Sequence, residues 1–224
     1  MKSQLTLVKS ILAAAGVAAL SALSAAPASA FSFGNIAGGD TPGDAYVNSF
    51  TFDVLNQGSS VLFNIKNSGD SRASTMFISK VFFADNNNYL SAPSVNKGNV
   101  GQVFFLGGPS NDQLPQGGND FTTKYAFSRD TGDGNGWGIQ ANESLGVSFT
   151  GSYNSVMSAI NNGTLQLGLH VQALPNGASD SYISSSSIDN TQGTPEPLTM
   201  LAAGAAVGFG TMFKKQRDQA QKAR

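Results

Sequence analysis

The chain has 224 residues but no cysteine, and it contains only one histidine and one tryptophan. The absence of cysteine excludes disulfide bonds and thiolate metal sites, so a folded domain must be held by packing and hydrogen bonds. Charged side chains are also scarce, at 12% of the chain. Catalysis by a cysteine is excluded, and any histidine chemistry must use His170.

The few charges are distributed unevenly. Residues 31–197 carry six basic and thirteen acidic side chains, a net charge of −7. Residues 214–224 carry five basic side chains and one acidic side chain, a net charge of +4. An acidic central region lacks the basic surface that neutralises phosphates, so we expect no nucleic-acid partner.

The first 30 residues have the three regions of a secretory signal peptide. Two lysines precede an apolar run, residues 11–23, and small residues follow it at Ala28 and Ala30. This order is typical of a segment that the secretion translocon recognises and a signal peptidase removes. The sequence therefore predicts a signal peptide over residues 1–30 and a mature chain that begins at Phe31.

The C-terminal segment, residues 195–224, also has three parts. Pro195, Glu196 and Pro197 are followed by uncharged residues 198–213 and then by a basic tail, residues 214–224. An apolar helix of 16 residues would span about 24 Å, which is short of the roughly 30 Å of a bilayer core. The basic tail favours the cytoplasmic side, which leaves the middle of the chain outside the inner membrane.

These three parts together resemble the sorting signal of the PEP-CTERM family. In that family a membrane-embedded protease-transpeptidase, exosortase, processes the signal, and the proteins reach the cell surface or extracellular matrix. The matching positions are Pro195, Glu196 and Pro197 for the motif, residues 198–213 for the apolar segment, and Lys214, Lys215 and Arg217 for the basic stop cluster. The resemblance implies an exported precursor, anchored in the inner membrane, with exosortase as its processing partner.

Between the two ends, short alternating apolar runs are separated by turn-forming residues. The alternating residues are Phe50, Phe52 and Val54; Val61, Phe63 and Ile65; Val103 and Phe105; Tyr125 and Phe127; Leu145, Val147 and Phe149; and Leu165, Leu167, Leu169 and Val171. Residues 76–83 are apolar on both faces apart from Ser79 and Lys80, which predicts a central strand covered on two sides. The pattern predicts an all-β fold over residues 31–183, an antiparallel β-sandwich of roughly seven to nine strands.

One short helix and one linker complete the predicted organisation. Residues 153–160 have a helical pattern that ends before Gly163, where glycine can adopt the left-handed conformation. Residues 184–194 are rich in serine and threonine, which predicts a flexible linker ahead of the sorting signal.

Two short motifs of the middle region resemble a module common among PEP-CTERM proteins. They are Glu143-Ser144-Leu145-Gly146, at a strand start, and Gly168-Leu169-His170-Val171-Gln172, after the short helix. The module has no assigned biochemical activity. The resemblance therefore supports the β-rich architecture and implies no ligand.

His170 is the first candidate for chemistry. It could in principle join Asp180 and a serine in a hydrolase, but no Gly-x-Ser-x-Gly motif precedes a helix. The alternative places it with Gln166 and Gln172 on the polar face of a strand, half-exposed and bonded to a neighbour. We expect this second arrangement, and we expect no catalytic activity.

Two loops are candidate binding sites. Asp130, Asp133, Asn135 and Trp137 belong to an acidic, glycine-rich loop that offers calcium ligands. Its spacing does not match an EF-hand, and the pattern favours a plain hairpin loop whose glycines supply positive φ angles. A sugar-binding end could instead combine residues 85–89 and residues 107–119 with Trp137.

Three functional hypotheses follow from the sequence. The first is an exported, non-catalytic protein of the cell surface or extracellular matrix that needs no cofactor. The second is a carbohydrate- or calcium-dependent binding module with extracellular polysaccharide as its partner. The third is an exported hydrolase, for which the sequence offers no catalytic constellation.

Overall fold

The computed structural model describes residues 29–36, 41–119, 121–132 and 138–185. The strands are β1 (Ser29–Asn35), β2 (Phe50–Asn56), β3 (Ser60–Asn67), β4 (Phe77–Asp85), β5 (Ser91–Val95), β6 (Phe105–Pro109), β7 (Tyr125–Arg129), β8 (Glu143–Thr150), β9 (Leu165–Gln172) and β10 (Asp180–Ser184). The α-helix is α1 (Tyr153–Asn161), and short 3-10 turns occupy Asp44–Ser49, Ser71–Ala73 and Pro175–Gly177.

The ten strands form one continuous antiparallel sheet in the order β5-β8-β3-β2-β1-β10-β9-β4-β7-β6. β1 joins the two halves because it pairs with β2 through residues 29–32 and with β10 through residues 33–35. The all-β prediction is confirmed. The predicted sandwich of seven to nine strands is corrected: the described residues form a ten-stranded sheet that is rolled into a nearly closed barrel. The two halves stay connected because β1 changes its pairing partner in the middle of the strand.

The two edge strands, β5 and β6, are joined at one end by a side chain. Asn96 Nδ2 donates to the Phe105 carbonyl at 2.8 Å, and Phe105 N donates to Asn96 Oδ1 at 3.0 Å. Pro93 in β5 and Pro109 in β6 have no N–H to offer. A proline in an edge strand, or a side chain that bonds to the edge, hinders pairing of that edge with another chain.

Aromatic rings from both halves of the sheet fill the interior. Phe63 lies 5.1 Å from Phe83 and Phe83 lies 4.9 Å from Phe149, measured between ring centroids. The alternating residues of the predicted strands are buried, including all four apolar residues of β9. Val103 is buried but lies outside β6, which begins at Phe105.

A second, smaller apolar cluster lies on the outer face of β4. Its residues are Phe82, Ala84, Leu114, Phe121 and Ala126. Leu114 and Phe121 belong to a segment that crosses this face, which we name the apolar strap (residues 110–119 and Phe121). The prediction that β4 is covered on both faces is confirmed, because the strap covers the outer face.

A different segment continues from β5 alongside β8, and we name it the polar strap (residues 96–103). Its backbone and side chains bond directly to the strand: Lys97 N donates to the Gly146 carbonyl at 2.9 Å, and Gly146 N donates to Asn99 Oδ1 at 2.9 Å. Val100 and Ser144 exchange backbone hydrogen bonds of 3.1 Å. The strap therefore lies against β8 through hydrogen bonds, and Val103 at its end packs into the hydrophobic core.

Helix α1 confirms the predicted helix, with one residue more at its C-terminal end. Val156, Ala159 and Ile160 are buried against the core. Gly163 follows with φ of +74°, the left-handed conformation that favours glycine at a helix end.

Both ends of the described domain lie at one end of the rolled sheet, which we name the near end. Ser185 N donates to the Ser32 carbonyl at 3.1 Å, so the end of β10 lies beside the middle of β1, about three residues from the first residue of that strand. The β2–β3 turn and the end of β4 also lie here, because Ser29 pairs opposite Val54 and Asp85 pairs opposite Leu165. The opposite end, where Arg129 pairs with Phe105, is named the far end.

No helix in the part of the chain that the structure describes is long and apolar enough to cross a membrane. The predicted apolar helix over residues 198–213 lies outside the described residues, as do residues 1–28 of the predicted signal peptide.

Candidate functional site

Most residues of the two predicted sorting segments lie outside the described residues. These are Ala28, the motif Pro195, Glu196 and Pro197, and the basic stop cluster Lys214, Lys215 and Arg217. Ala30 is described, and it lies in β1 opposite Asp53. Cleavage after Ala30 would leave Phe31 as the first residue of a shortened β1.

The predicted calcium loop is described only in part. Asp133, Asn135 and Trp137 lie outside the described residues, whereas Asp130 follows β7 at the far end. Asp130 Oδ1 accepts a hydrogen bond from Gly132 N at 2.9 Å, the geometry of a local turn. Within the described ranges, no group of three or more acidic or histidine side chains could hold a metal ion.

The structure brings two of the three parts of the predicted sugar-binding end together. Residues 85–89 and residues 107–119 contribute to one cleft at the near end. Asp130, where the segment that leads to Trp137 begins, lies at the far end, one strand length away along β7.

The cleft formed by these two segments is named the asparagine cleft. It has a volume of about 460 Å³ and is lined by Asp85, Asn86, Pro109, Ser110, Asn111, Thr122, Thr123 and Lys124. None of these described lining residues has an aromatic ring. The hydroxyl oxygen of Thr123 is buried and has no hydrogen-bond partner within the described part of the chain.

A buried ion pair forms one wall of the asparagine cleft. The carboxylate of Asp85 accepts hydrogen bonds from Tyr89 N at 2.9 Å, Leu90 N at 3.0 Å and Lys124 Nζ at 2.9 Å. Lys124 Nζ also donates to Asn88 Oδ1 at 2.7 Å. These bonds fix the loop between β4 and β5, and they commit the Asp85 carboxylate to structure rather than to a ligand.

A second cleft at the near end was not anticipated from the sequence, and we name it the turn–helix cleft. It has a volume of about 540 Å³ and is lined by Asn56, Gly58, Ser59, Thr150, Gly151, Ser152, Tyr153 and Asn154. The β2–β3 turn forms one wall, and the end of β8 with the first turn of α1 forms the other. None of these eight described lining residues has a charged side chain.

Short hydrogen bonds hold the walls of the turn–helix cleft in place. Gly58 N donates to Asn56 Oδ1 at 2.9 Å, which fixes the turn. Gly151 N donates to the Ser59 carbonyl at 3.2 Å and joins the two walls. The sequence indicates a turn at residues 56–59, but only the tertiary fold shows that this turn faces α1.

His170 occupies the polar face of β9, as predicted. Its Nδ1 lies 3.1 Å from Ser181 Oγ, and its strand neighbours in register are Lys80 and Ser181. Burial and the positive charge of Lys80 lower the pKa of His170, while a hydrogen bond with the backbone of Asp180 acts in the opposite direction. The predicted half-buried histidine bonded to a neighbour is confirmed.

Ser181, the serine that contacts His170, is not placed as the serine of a catalytic triad in the described structure. Ser181 is 1% exposed, so its hydroxyl is not presented to solvent. Asp180 Oδ1 accepts from Ser181 N at 2.8 Å. In a catalytic triad the carboxylate instead bonds the histidine ring and the serine faces a substrate.

Comparisons with known proteins add little to this geometry. No family model matches the chain, and no curated protein matches it. One solved structure, described as "pH-induced modulation of Streptococcus parasanguinis adhesion by Fap1 fimbriae", is similar over 62% of this chain and 82% of its own. Its sequence identity is 6% and its TM-score is 0.33, a similarity that carries no argument about this chain.

Proposed function

We propose that this chain is an exported, exosortase-sorted protein of the cell surface or extracellular matrix, without catalytic activity. The observation that carries the proposal is the order of three parts at the C-terminus. A proline-flanked glutamate at Glu196 is followed by uncharged residues 198–213 and then by the basic tail. The predicted signal peptide at residues 1–30 gives the same orientation, with the β-domain outside the inner membrane.

The placement of the chain ends is compatible with this role. β1 begins at the near end and β10 runs toward the same end, where Ser185 bonds to Ser32 in the middle of β1. A precursor held at both its N-terminal and C-terminal segments would thus be held at one end of the domain. The far end would then point away from the membrane.

Two matched variants test the sorting proposal. Glu196→Ala alters the motif, whereas Asp189→Ala removes the same charge from the predicted linker. We expect Glu196→Ala to accumulate as a full-length precursor in the inner membrane, and Asp189→Ala to be processed like the parent chain. Cell fractionation followed by immunoblotting measures both. Equal processing of the two variants would refute the proposal.

A second candidate function is a binding module for extracellular polysaccharide, either alone or with calcium held by Asp130, Asp133 and Asn135. The observation that favours polysaccharide is the pair of open, polar clefts at the near end. Calcium binding is tested by measuring the Tm of the parent chain and of Asp133→Asn, each with calcium and with a chelator. A calcium-dependent rise in Tm that Asp133→Asn removes is expected if calcium binds, and an unchanged Tm would count against it.

A further inference from the structure

We propose that the turn–helix cleft binds a neutral glycan, with the ring of Tyr153 as the stacking surface and Asn56 and Asn154 as the hydrogen-bonding groups. This inference rests on the second candidate function, since it names the site and the ligand class. It goes beyond the sequence, which directed attention to residues 85–89, 107–119 and 130–137.

The composition of the cleft selects the class of ligand. Amide, hydroxyl and backbone groups dominate its lining, so an apolar ligand would leave polar groups unpaired. The described residues of the lining include no Lys, Arg or His that would bind an anion and no Asp or Glu that would bind a cation. A neutral polyhydroxylated ligand satisfies these groups without burying an unpaired charge.

Tyr153 distinguishes this cleft from the asparagine cleft. It is half-buried and packs against the hydrophobic core, while it also lines the cleft. A ring supported by the core keeps its orientation, so a flat apolar face of a sugar can pack on it at little cost in side-chain entropy. Among the described residues, the lining of the asparagine cleft offers no aromatic ring, and the Asp85 carboxylate there already accepts three hydrogen bonds.

Asn56 supplies directional donors from a fixed position. Its Oδ1 accepts Gly58 N at 2.9 Å, which orients the amide and leaves its Nδ2 as the group that can face a ligand. Asn154 lies exposed in the first turn of α1, on the other wall. The cleft volume of about 540 Å³ falls within the range of roughly 300–1,000 Å³ found for ligand sites.

The location of the cleft suits a glycan close to the surface that displays the protein. The turn–helix cleft lies at the near end, where the described chain ends at Ser185. The residues from 186 to 194 can span at most about 30 Å, even when fully extended. The cleft would therefore remain close to the point at which the sorting signal is processed.

Direct binding measurements on the full chain test this inference. The chain is produced in a bacterial host with both ends intact, and calorimetric titration uses four neutral probes: cellohexaose, xylohexaose, mannohexaose and maltohexaose. We expect at least one probe to bind with a Kd of about 1 mM or tighter. Binding to none of the four at that affinity would overturn the inference.

Four variants locate the binding site. Asn56→Asp keeps the oxygen that accepts Gly58 N but replaces the amide donor, and Asn154→Ala removes an exposed amide. Tyr153→Ala removes the ring, whereas Tyr153→Phe keeps it. We expect Asn56→Asp and Tyr153→Ala to weaken binding about tenfold, Asn154→Ala by less, and Tyr153→Phe to stay within about twofold of the parent.

Asn111→Ala is the matched control, because it removes an exposed amide from the asparagine cleft instead. We expect it to bind like the parent chain. If Asn111→Ala weakens binding and Asn56→Asp does not, the inference about the turn–helix cleft is wrong. The second candidate function, a polysaccharide-binding module, would still stand. Thermal unfolding of each variant confirms folding, and Asn56→Asp decides the result should Tyr153→Ala fail to fold. Sorting is measured separately through Glu196→Ala, so the two proposals fail independently.

Discussion

The two straps cover comparable strands of the same sheet by different means. The polar strap, residues 96–103, attaches to β8 through backbone and amide hydrogen bonds at Gly146. The apolar strap, residues 110–119 and Phe121, covers β4 and β9 by packing Leu114 and Phe121 over Gly168. In both cases a glycine provides the space, but only the polar strap brings rigid backbone against it.

The two glycines, Gly146 and Gly168, each belong to one of the two short motifs described in the sequence analysis. In Glu143-Ser144-Leu145-Gly146, the Glu143 carboxylate accepts from Gln102 N and Gln140 N, both at 2.9 Å, while Leu145 enters the core. A Cβ at Gly146 would lie 1.7 Å from the Lys97 carbonyl oxygen. In Gly168-Leu169-His170-Val171-Gln172, a Cβ at Gly168 would lie 2.8 Å from a Leu114 methyl group. In each motif the glycine leaves the space that one strap occupies.

Gly146→Ala should produce the largest effect, because the added Cβ meets a backbone carbonyl that cannot move without losing the strap hydrogen bonds. We expect a loss of about 3 kcal/mol in the free energy of unfolding, measured by urea denaturation. Gly108→Ala is the matched control, since a Cβ on this β6 glycine would meet nothing within 4 Å. Equal losses for both variants would contradict the role of Gly146.

Gly168→Ala should destabilise the domain less than Gly146→Ala. The nearest atoms are the tips of Leu114 and Phe121, which can move by changing rotamer. We expect a loss of about 1 kcal/mol in the free energy of unfolding. The same urea series measures it, and a loss as large as that of Gly146→Ala would show that the apolar strap is as rigid as the polar one.

His170→Gln should have the smallest effect, visible only in the pH dependence of stability. Burial and Lys80 lower the folded-state pKa of His170 below its ordinary value of 6.5, so the unfolded chain binds its proton more readily. The stability contributed by neutral His170 is present above that value and is lost as the pH falls below it. We expect His170→Gln to remove this loss in unfolding curves at acidic pH, and an unchanged pH slope would contradict it.

The sequence predicts the inward faces of the strands well, because burial of one face imposes a period of two on residues such as those of β9. It predicts α1 for the same reason, through its helical period and Gly163. The continuous sheet could not be predicted, since β1 carries no long alternating run and its change of partner at Phe33 depends on the tertiary fold.

The straps and the turn–helix cleft were also beyond sequence reasoning. Residues 96–103 have no regular pattern, and their contacts with Gly146 join positions about forty residues or more apart in the chain. Asn56 and Tyr153 come from distant turns, and each taken alone indicates only a loop or a helix start. The sequence names polar loops as candidate sites, but their composition does not indicate which of them share one end of the sheet.

The proposal of an exported and sorted surface protein is tested most directly by the terminal masses of the protein recovered from the surface of producing cells. Mass spectrometry should find a chain that begins at Phe31 and ends near Thr194. A surface protein that still extends to Arg224 would contradict processing at the Pro195-Glu196-Pro197 motif.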